Sequence, residues 1–297
     1  MVDRSKVKRR LTTFDCAPTL TDTQVLDFVK KGYLLMESVV PDEINKRVKA
    51  KLDERELVIG VSKPHDLLQE DWFVESVLHN TQAVGAVRSL LGADYAEVGG
   101  GGRMNSLALF AGKGPSPVGQ WHVDGAYRFG PEMNHLKWFY YPIDSPEESG
   151  PTEFVIGSHH VRNQVRFMAH YQGIRGIWKS SAPAGSIVIA AYPIWHRRAR
   201  CTWDKVRYML TTSLWRTTPP KRDWIVEPDF DFETTNYSLS APRFGEQHAS
   251  AHKNARMFYW MCGKIEEFST LPCPTWPQAV PGNADDPYAS NSAQHGR

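Results

Sequence analysis

A series of short apolar runs, beginning after Gly99-Gly100-Gly101-Gly102, constrains the fold more than any other feature. Each run has the length of a strand, and turn sequences such as Gly112-Lys113-Gly114-Pro115 separate them. We predict strands at residues 103–110, 136–143, 186–191 and 207–215. Short strands separated by Gly/Pro turns are typical of a mainly β, double-sheet or barrel-like core.

The last predicted strand divides into two chemically different faces. Side chains alternate along a strand, with Arg207, Met209, Thr211 and Ser213 on one face and Tyr208, Leu210, Thr212 and Leu214 on the other. A partly polar face opposite an apolar one suits a barrel that holds a ligand inside and packs against helices outside.

The remaining sequence surrounds this core within one domain. A length of 297 residues suits a single large domain. We expect a helical N-terminal part at about residues 20–95, the β core at 103–216 and a C-terminal extension at 217–297. Within the extension, residues 248–268 favour a helix, and the Pro-, Ser- and Asn-rich tail favours irregular structure.

Composition limits the classes of binding partner that we expect for this protein. A formal net charge of +2 gives no general surface for polyanions, and no apolar run has the length of a membrane span. The four cysteines lack CxxC spacing, which indicates a reducing compartment. We therefore expect a cytoplasmic monomer or homodimer that acts on a small molecule and has no nucleic-acid or membrane partner.

The chemistry-bearing residues are the pair His122 and Asp124, together with the distant His196. Two imidazoles and one carboxylate can bind Fe(II) on one face and leave the opposite face open. On a strand, His122 and Asp124 would point to the same side. The same three side chains also suit zinc, so a zinc hydrolase and a non-catalytic binding barrel stay open as alternatives.

Four ordered motifs carry a resemblance to a known family. They are residues 20–28 with Gly32-Tyr33-Leu34; Trp121-His122-Val123-Asp124-Gly125; residues 150–159, GPTEFVIGSH; and Trp195-His196 with Arg207-Tyr208. With these motifs in this order, residues 20–216 resemble the phytanoyl-CoA dioxygenase family of Fe(II)/2-oxoglutarate oxygenases.

The resemblance implies a double-stranded β-helix (jelly roll, cupin-like) and a set of site residues. His122, Asp124 and His196 would hold Fe(II), and Arg207 would pair with the far carboxylate of 2-oxoglutarate. With O2, this cofactor set hydroxylates a C–H bond and releases succinate and CO2. Desaturation, cyclisation and oxidative cleavage are alternative outcomes. Halogenating relatives replace the carboxylate ligand, so Asp124 argues against halogenation.

Other proposed site residues have competing structural interpretations. Thr152 would donate a hydrogen bond to 2-oxoglutarate, or serve only as a turn residue after Gly-Pro. Gln120 would lie beside the cofactor, or be an exposed strand residue.

The substrate pocket is the least constrained part of the sequence. Arg128, Arg198 and Arg200 would attract an anionic metabolite or natural-product intermediate, and Trp138 and Trp215 would line the pocket. A solvated arginine-rich loop and ordinary core packing explain the same residues.

Overall fold

The computed structural model of this chain describes residues 16–96, 107–124, 131–161, 173–174, 176–239 and 244–269. Its strands are β1 (Tyr33–Met36), β2 (Gly60–Ser62), β3 (Ala108–Lys113), β4 (His135–Tyr141), β5 (Thr152–Val155), β6 (Ile177–Lys179), β7 (Ser186–Ala191), β8 (His196–Arg198) and β9 (Val206–Trp215). Its α-helices are α1 (Asp22–Lys31), α2 (Asp42–Asp53), α3 (Asp71–Phe73), α4 (Thr81–Leu91), α5 (Phe244–Met261) and α6 (Ile265–Ser269).

The strands form two antiparallel sheets that face each other. The larger sheet has the order β1-β7-β4-β9-β3-β2, and the smaller has the order β6-β5-β8. Aromatic side chains fill the space between them: Phe139 meets Phe154 edge to face at 5.6 Å between ring centroids, and Tyr33 stacks on Trp178 at 4.0 Å. The predicted mainly β, double-sheet jelly roll is therefore confirmed.

The predicted strands agree with the observed ones to within a few residues. Residues 186–191 coincide with β7, and 207–215 and 136–143 correspond to β9 and β4. The range 103–110 is observed as β3, and its residues 103–106 lie outside the described part of the chain. The expected C-terminal helix is present as two helices, α5 and α6, which Gly263 with a φ of 72° separates.

Helices cover the outer face of the larger sheet. Trp138, Tyr140 and Leu210 point to this side and join the apolar core that the helices share with the sheet. Trp138 lies against Ala83, Val84 and Val87 of α4. Burying a large apolar side chain contributes about 1.5–3 kcal/mol, so this face supplies much of the driving force for folding.

Local sequence fixes the start and end of α1. Thr21 and Gln24 form a reciprocal capping box, and the helix ends at Gly32, whose φ is 82°. A side chain at Gly32 would also collide with His159, since a Cβ there would lie 2.4 Å from its Nδ1. Glycine is therefore required where the chain turns from α1 into β1.

The C-terminal extension is fastened to α1 through a buried carboxylate. Asp22 accepts hydrogen bonds from Arg222 Nε at 2.7 Å, Arg222 Nη2 at 2.6 Å, Trp224 Nε1 at 2.7 Å and the Glu227 amide at 2.7 Å. Burial alone would raise the pKa of Asp22, but these donors outweigh it and lower the pKa below its ordinary value.

Among the described residues, the helices are all too short or too polar to span a bilayer.

Candidate active site

Backbone pairing brings the two predicted histidine ligands together. The segment before Asp124 runs antiparallel to β8, with bridge pairs between Ser116 and Cys201 and between His122 and His196. The His122 amide donates to the His196 carbonyl at 3.1 Å, and the reverse bond measures 3.0 Å. The imidazole centroids are consequently 4.3 Å apart. The strand expected around His122 and Asp124 is reduced to one bridge residue, His122. Asp124 lies in irregular structure two residues later.

The three side chains converge on one point. Their candidate ligand atoms all lie within 4.8 Å of one another. Asp124 Oδ1 is 3.8 Å from His122 Nε2, and Asp124 Oδ2 is 3.7 Å from His196 Nε2. The space between these atoms is the candidate metal centre.

Hydrogen bonds to backbone carbonyls set the histidine tautomers. His122 Nδ1 lies 2.9 Å from the Gln120 carbonyl, and His196 Nδ1 lies 3.0 Å from the Ile194 carbonyl. A carbonyl only accepts, so each Nδ1 carries a proton, and in the neutral imidazole it is Nε2 that keeps the lone pair. Burial lowers the pKa of His196 to about 4, which keeps this imidazole neutral at pH 7. Both Nε2 atoms are therefore prepared to bind a metal.

Asp124 supplies the negative charge. Burial alone would raise its pKa, but His196, Lys137 and His122 act in the opposite direction and hold the pKa below its usual range. Lys137 Nζ forms an ion pair with Asp124 Oδ2. Two imidazole nitrogens and one ionised carboxylate are a donor set that fits Fe(II).

A buried guanidinium lies on the inner face of β9. Arg207 Nη1 donates to the Gly150 carbonyl at 2.5 Å, and Arg207 Nε has no partner among the described residues. No carboxylate in the described part of the chain pairs with this side chain, whose pKa burial lowers. Because arginine stays charged in proteins, this position fits the carboxylate of a bound ligand.

Polar side chains near Arg207 complete this end of the barrel. Thr152 Oγ1 donates to Met209 Sδ at 3.6 Å, and the Tyr141 and Ser180 hydroxyls are 2.7 Å apart. Thr152 is buried on β5, so its hydroxyl is positioned inside the barrel rather than on an exposed turn.

Gln120 takes part in the site through its backbone. Gln120 is exposed, and its backbone carbonyl oxygen accepts the hydrogen bond from His122 Nδ1. The amide side chain is not placed beside the metal ligands by any described contact.

Trp138 does not line the pocket that the sequence suggested. It is 2% exposed and lies on the outer face of β4, among the helix-packed residues. The inner face of the same strand carries His135, Lys137, Phe139 and Tyr141 instead, because side chains alternate along a strand. The aromatic character of Trp138 therefore reflects core packing.

Two of the three predicted substrate arginines, Arg198 and Arg200, lie on the surface. Arg198 is exposed and donates from Nη2 to the Pro117 carbonyl at 3.0 Å, and Arg200 is exposed. The neighbouring Arg197 is buried and forms an ion pair with Glu153, with 2.6 Å between Arg197 Nε and Glu153 Oε2. Arg128 lies outside the described residues.

Trp215 and two residues that sequence reasoning missed lie at the other end of the barrel from Arg207. His135 stacks between Tyr192 at 3.5 Å and Trp215 at 4.5 Å, measured between centroids. Lys137 is two residues further along the same face and contacts Asp124. Polar His135 and Lys137 at alternate positions of an otherwise apolar strand were the available signal.

Comparisons with known proteins agree with this geometry. A family model described as phytanoyl-CoA dioxygenase (PhyH) matches residues 28–207. No curated protein matches the chain in sequence.

Three solved structures illustrate the structural likeness. The epimerase SnoN in complex with Fe3+, alpha-ketoglutarate and nogalamycin RO is 16% identical, with a TM-score of 0.52 over 66% of this chain and 84% of SnoN. HygX from Streptomyces hygroscopicus with iron bound is 14% identical, with a TM-score of 0.52 over 70% of this chain and 90% of HygX. The alpha-ketoglutarate-dependent carbocyclase SnoK is 18% identical, with a TM-score of 0.51 over 67% of this chain and 87% of SnoK. At these identities, the likeness establishes a shared fold.

Proposed function

The chain belongs to the phytanoyl-CoA dioxygenase family of Fe(II)/2-oxoglutarate-dependent enzymes, and from this premise we propose that it hydroxylates an unactivated C–H bond of a small anionic metabolite. Natural-product intermediates are the substrate class we favour, because SnoK belongs to nogalamycin biosynthesis. His122, Asp124 and His196 would hold the iron, and Arg207 would hold 2-oxoglutarate.

The observation that carries this proposal is the orientation of the three ligand side chains. Both histidines have Nδ1 bonded to a backbone carbonyl, and their candidate ligand atoms lie with that of Asp124 within the 4.8 Å cluster. Carbonyl partners that fix the tautomer and ring orientation are typical of metal-binding histidines.

The co-substrate end supports the same proposal. When bound, iron and 2-oxoglutarate supply the oxidation of a C–H bond by O2, with release of succinate and CO2. Arg207 provides a fixed cation for the far carboxylate of 2-oxoglutarate, and Thr152 provides a nearby hydroxyl. The apolar side chains Phe139, Phe154 and Val188 line the space between the sheets and exclude water from it.

Epimerisation and ring closure are the second candidate outcome, because SnoN and SnoK, which share the fold, are an epimerase and a carbocyclase. The product separates these outcomes. Hydroxylation under 18O2 places one labelled oxygen in the product, whereas epimerisation or carbon ring closure adds none.

Anaerobic titration of the metal-free protein with Fe(II) and 2-oxoglutarate tests the proposal. A visible charge-transfer band is expected in the wild type and is expected to be absent in His196→Ala. The matched control is His65→Ala, which removes an exposed histidine and should retain the band. Absence of the band in folded wild-type protein would contradict the assignment.

A further inference from the structure

Lys137 places a cation inside the barrel next to the metal ligands. It lies on the inner face of β4, and its side chain is 16% exposed. Its neighbours across the strands are Ala190 and Ser213, which are too small to block the pocket. The long side chain therefore extends into the space between the sheets, where Nζ contacts Asp124.

Strand register places Lys137 away from the co-substrate end. Lys137 is opposite Ser213 on β9, and Arg207 lies six residues earlier on that strand. At about 3.3 Å per residue, their backbone positions are separated by about 20 Å. A 2-oxoglutarate molecule bound between Arg207 and the metal ligands would place its far carboxylate at Arg207 and its other end at the metal. Lys137, which contacts Asp124 and lies far from Arg207 along the sheet, would then remain available to the substrate.

With metal and 2-oxoglutarate bound, the charges of Asp124, Lys137 and Arg207 would leave the site with a net positive charge. Among the described residues, Asp124 contributes one negative charge, and Lys137 and Arg207 contribute one positive charge each. Arg197 is already neutralised by Glu153. A divalent metal and the 2-oxoglutarate dianion cancel each other, so one positive charge remains. Because a buried unpaired charge is costly, an anionic ligand would stabilise this state.

The wall beside Lys137 offers a second polar atom. His135 lies two residues from Lys137 on the same face, and its Nε2 is buried without a hydrogen-bond partner in the described part of the chain. Trp215, half-buried, stacks on this imidazole. This end of the barrel therefore combines a cation, a free imidazole nitrogen and an aromatic surface.

We infer that Lys137 is the residue that binds the substrate's anionic group, and that the substrate is an organic acid whose carboxylate pairs with Lys137 beside His135 and Trp215. This inference rests on the proposed function, since it describes the substrate side of the same metal site. It assigns to Lys137 the role that the sequence suggested for Arg198 and Arg200, both of which are exposed.

The test uses the protein loaded anaerobically with Fe(II) and 2-oxoglutarate. The probes are 3-phenylpropionate and hexanoate, each paired with its primary amide, and the measurement is the change in the charge-transfer band on binding. The wild type should bind each acid about 10- to 100-fold more tightly than its amide, as expected for a charge-assisted hydrogen bond. Lys137→Met should remove this preference, and Lys137→Arg should keep most of it.

Two controls separate this role from a structural one. Lys46→Met removes an exposed lysine of α2 and should leave the acid preference intact. Lys137→Gln retains a hydrogen-bond donor for Asp124 without the charge, so it should fold and still lose the preference, which keeps the test informative if Lys137→Met does not fold. The affinity for 2-oxoglutarate should stay within about threefold of the wild type in Lys137→Gln.

Several results would overturn the inference. Equal binding of acids and amides by the wild type would do so, as would an unchanged preference in Lys137→Gln. Failure of every acid to perturb the band at millimolar concentration would count equally against it. A large loss of 2-oxoglutarate affinity in Lys137→Gln, with the preference intact, would place Lys137 at the co-substrate. Absence of the band itself would instead refute the proposed function.

Discussion

The two faces of the larger sheet are built from the same strands and have different tasks. On the outer face, Trp138 and Leu210 pack under the helices, and the Tyr140 hydroxyl donates to Asn45 Oδ1 at 2.6 Å. On the inner face, Lys137 and Arg207 bring charges into the barrel. A shift of one residue along a strand therefore separates side chains that stabilise the fold from side chains available to a ligand.

Hydrogen bonding sharpens this contrast. The outward Tyr208 hydroxyl donates to Asp53 Oδ1 at 3.0 Å. Four polar side-chain atoms of β4 and β9 are buried without partners among the described residues: His135 Nε2, Arg207 Nε and Thr211 Oγ1 on the inner face and Thr212 Oγ1 on the outer face. Unsatisfied buried polar atoms are costly, and the three on the inner face are consistent with a ligand-binding surface.

Replacing the outward Trp138 should have the largest effect, and on stability alone. Trp138→Ala is expected to lower the free energy of unfolding by about 3–5 kcal/mol, because it leaves a cavity under α4. The 2-oxoglutarate affinity of the remaining folded protein should be unchanged. Denaturant unfolding and anaerobic titration measure the two quantities, and Trp138→Phe should show a smaller stability loss. A loss of co-substrate affinity without a loss of stability would contradict the division between faces.

Replacing the inward Arg207 should have the opposite signature. Arg207→Met is expected to weaken 2-oxoglutarate binding about 10- to 100-fold, because a charge-assisted pair is lost, while Fe(II) binding persists. Arg207→Lys keeps the charge without the planar fork and should fall between the variant and the wild type. The anaerobic charge-transfer titration measures this affinity. An unchanged affinity in Arg207→Met would remove this residue from the co-substrate site.

Acid should destabilise the inner face through His135. Burial lowers the pKa of His135 to about 3, with Lys137 adding to the effect, whereas an unfolded histidine titrates near 6.5. Between these values the unfolded chain binds more protons, so stability falls as the pH decreases from about 6.5 toward 3, by up to about 1.4 kcal/mol per pH unit.

The matched variant for this pH effect is His135→Phe, which keeps a ring between Tyr192 and Trp215 and removes the titrating group. In metal-free protein, its free energy of unfolding should fall less steeply between pH 6.5 and pH 5 than that of the wild type. Parallel pH profiles would contradict this, because they would show that His135 binds protons equally in the folded and unfolded states.

The smallest effect is expected at Gln120, an exposed residue whose backbone carbonyl contacts His122. Gln120→Ala should change the Fe(II) affinity by no more than about twofold, since the backbone carbonyl that orients His122 remains. Metal-binding titration measures this. A tenfold loss would show that the amide side chain belongs to the site after all.

The triad and Arg207 were accessible from sequence because they are carried by short motifs and by one strand with a clear alternation. His122 and Asp124 are two residues apart, and the polar residues at alternate positions of 207–213 indicate which face of that strand points into the barrel. The backbone pairing of His122 with His196 was not accessible, because their separation along the chain says nothing about register.

The sequence does not show which face of strand β4 points into the barrel. Large or aromatic residues occupy both faces, so Trp138 and Phe139 were equally plausible pocket residues. The helices that cover one face of the sheet determine which residues point inward, and their packing is a tertiary effect. The same ambiguity concealed Lys137 and His135.

X-ray absorption at the iron edge of the Fe(II)-loaded protein would show whether His122, Asp124 and His196 together hold the iron. We expect two imidazole ligands per iron in the wild type and one in His196→Ala, with the remaining light-atom ligands unchanged in type. A sulfur ligand, or an imidazole number that His196→Ala leaves unchanged, would contradict this assignment.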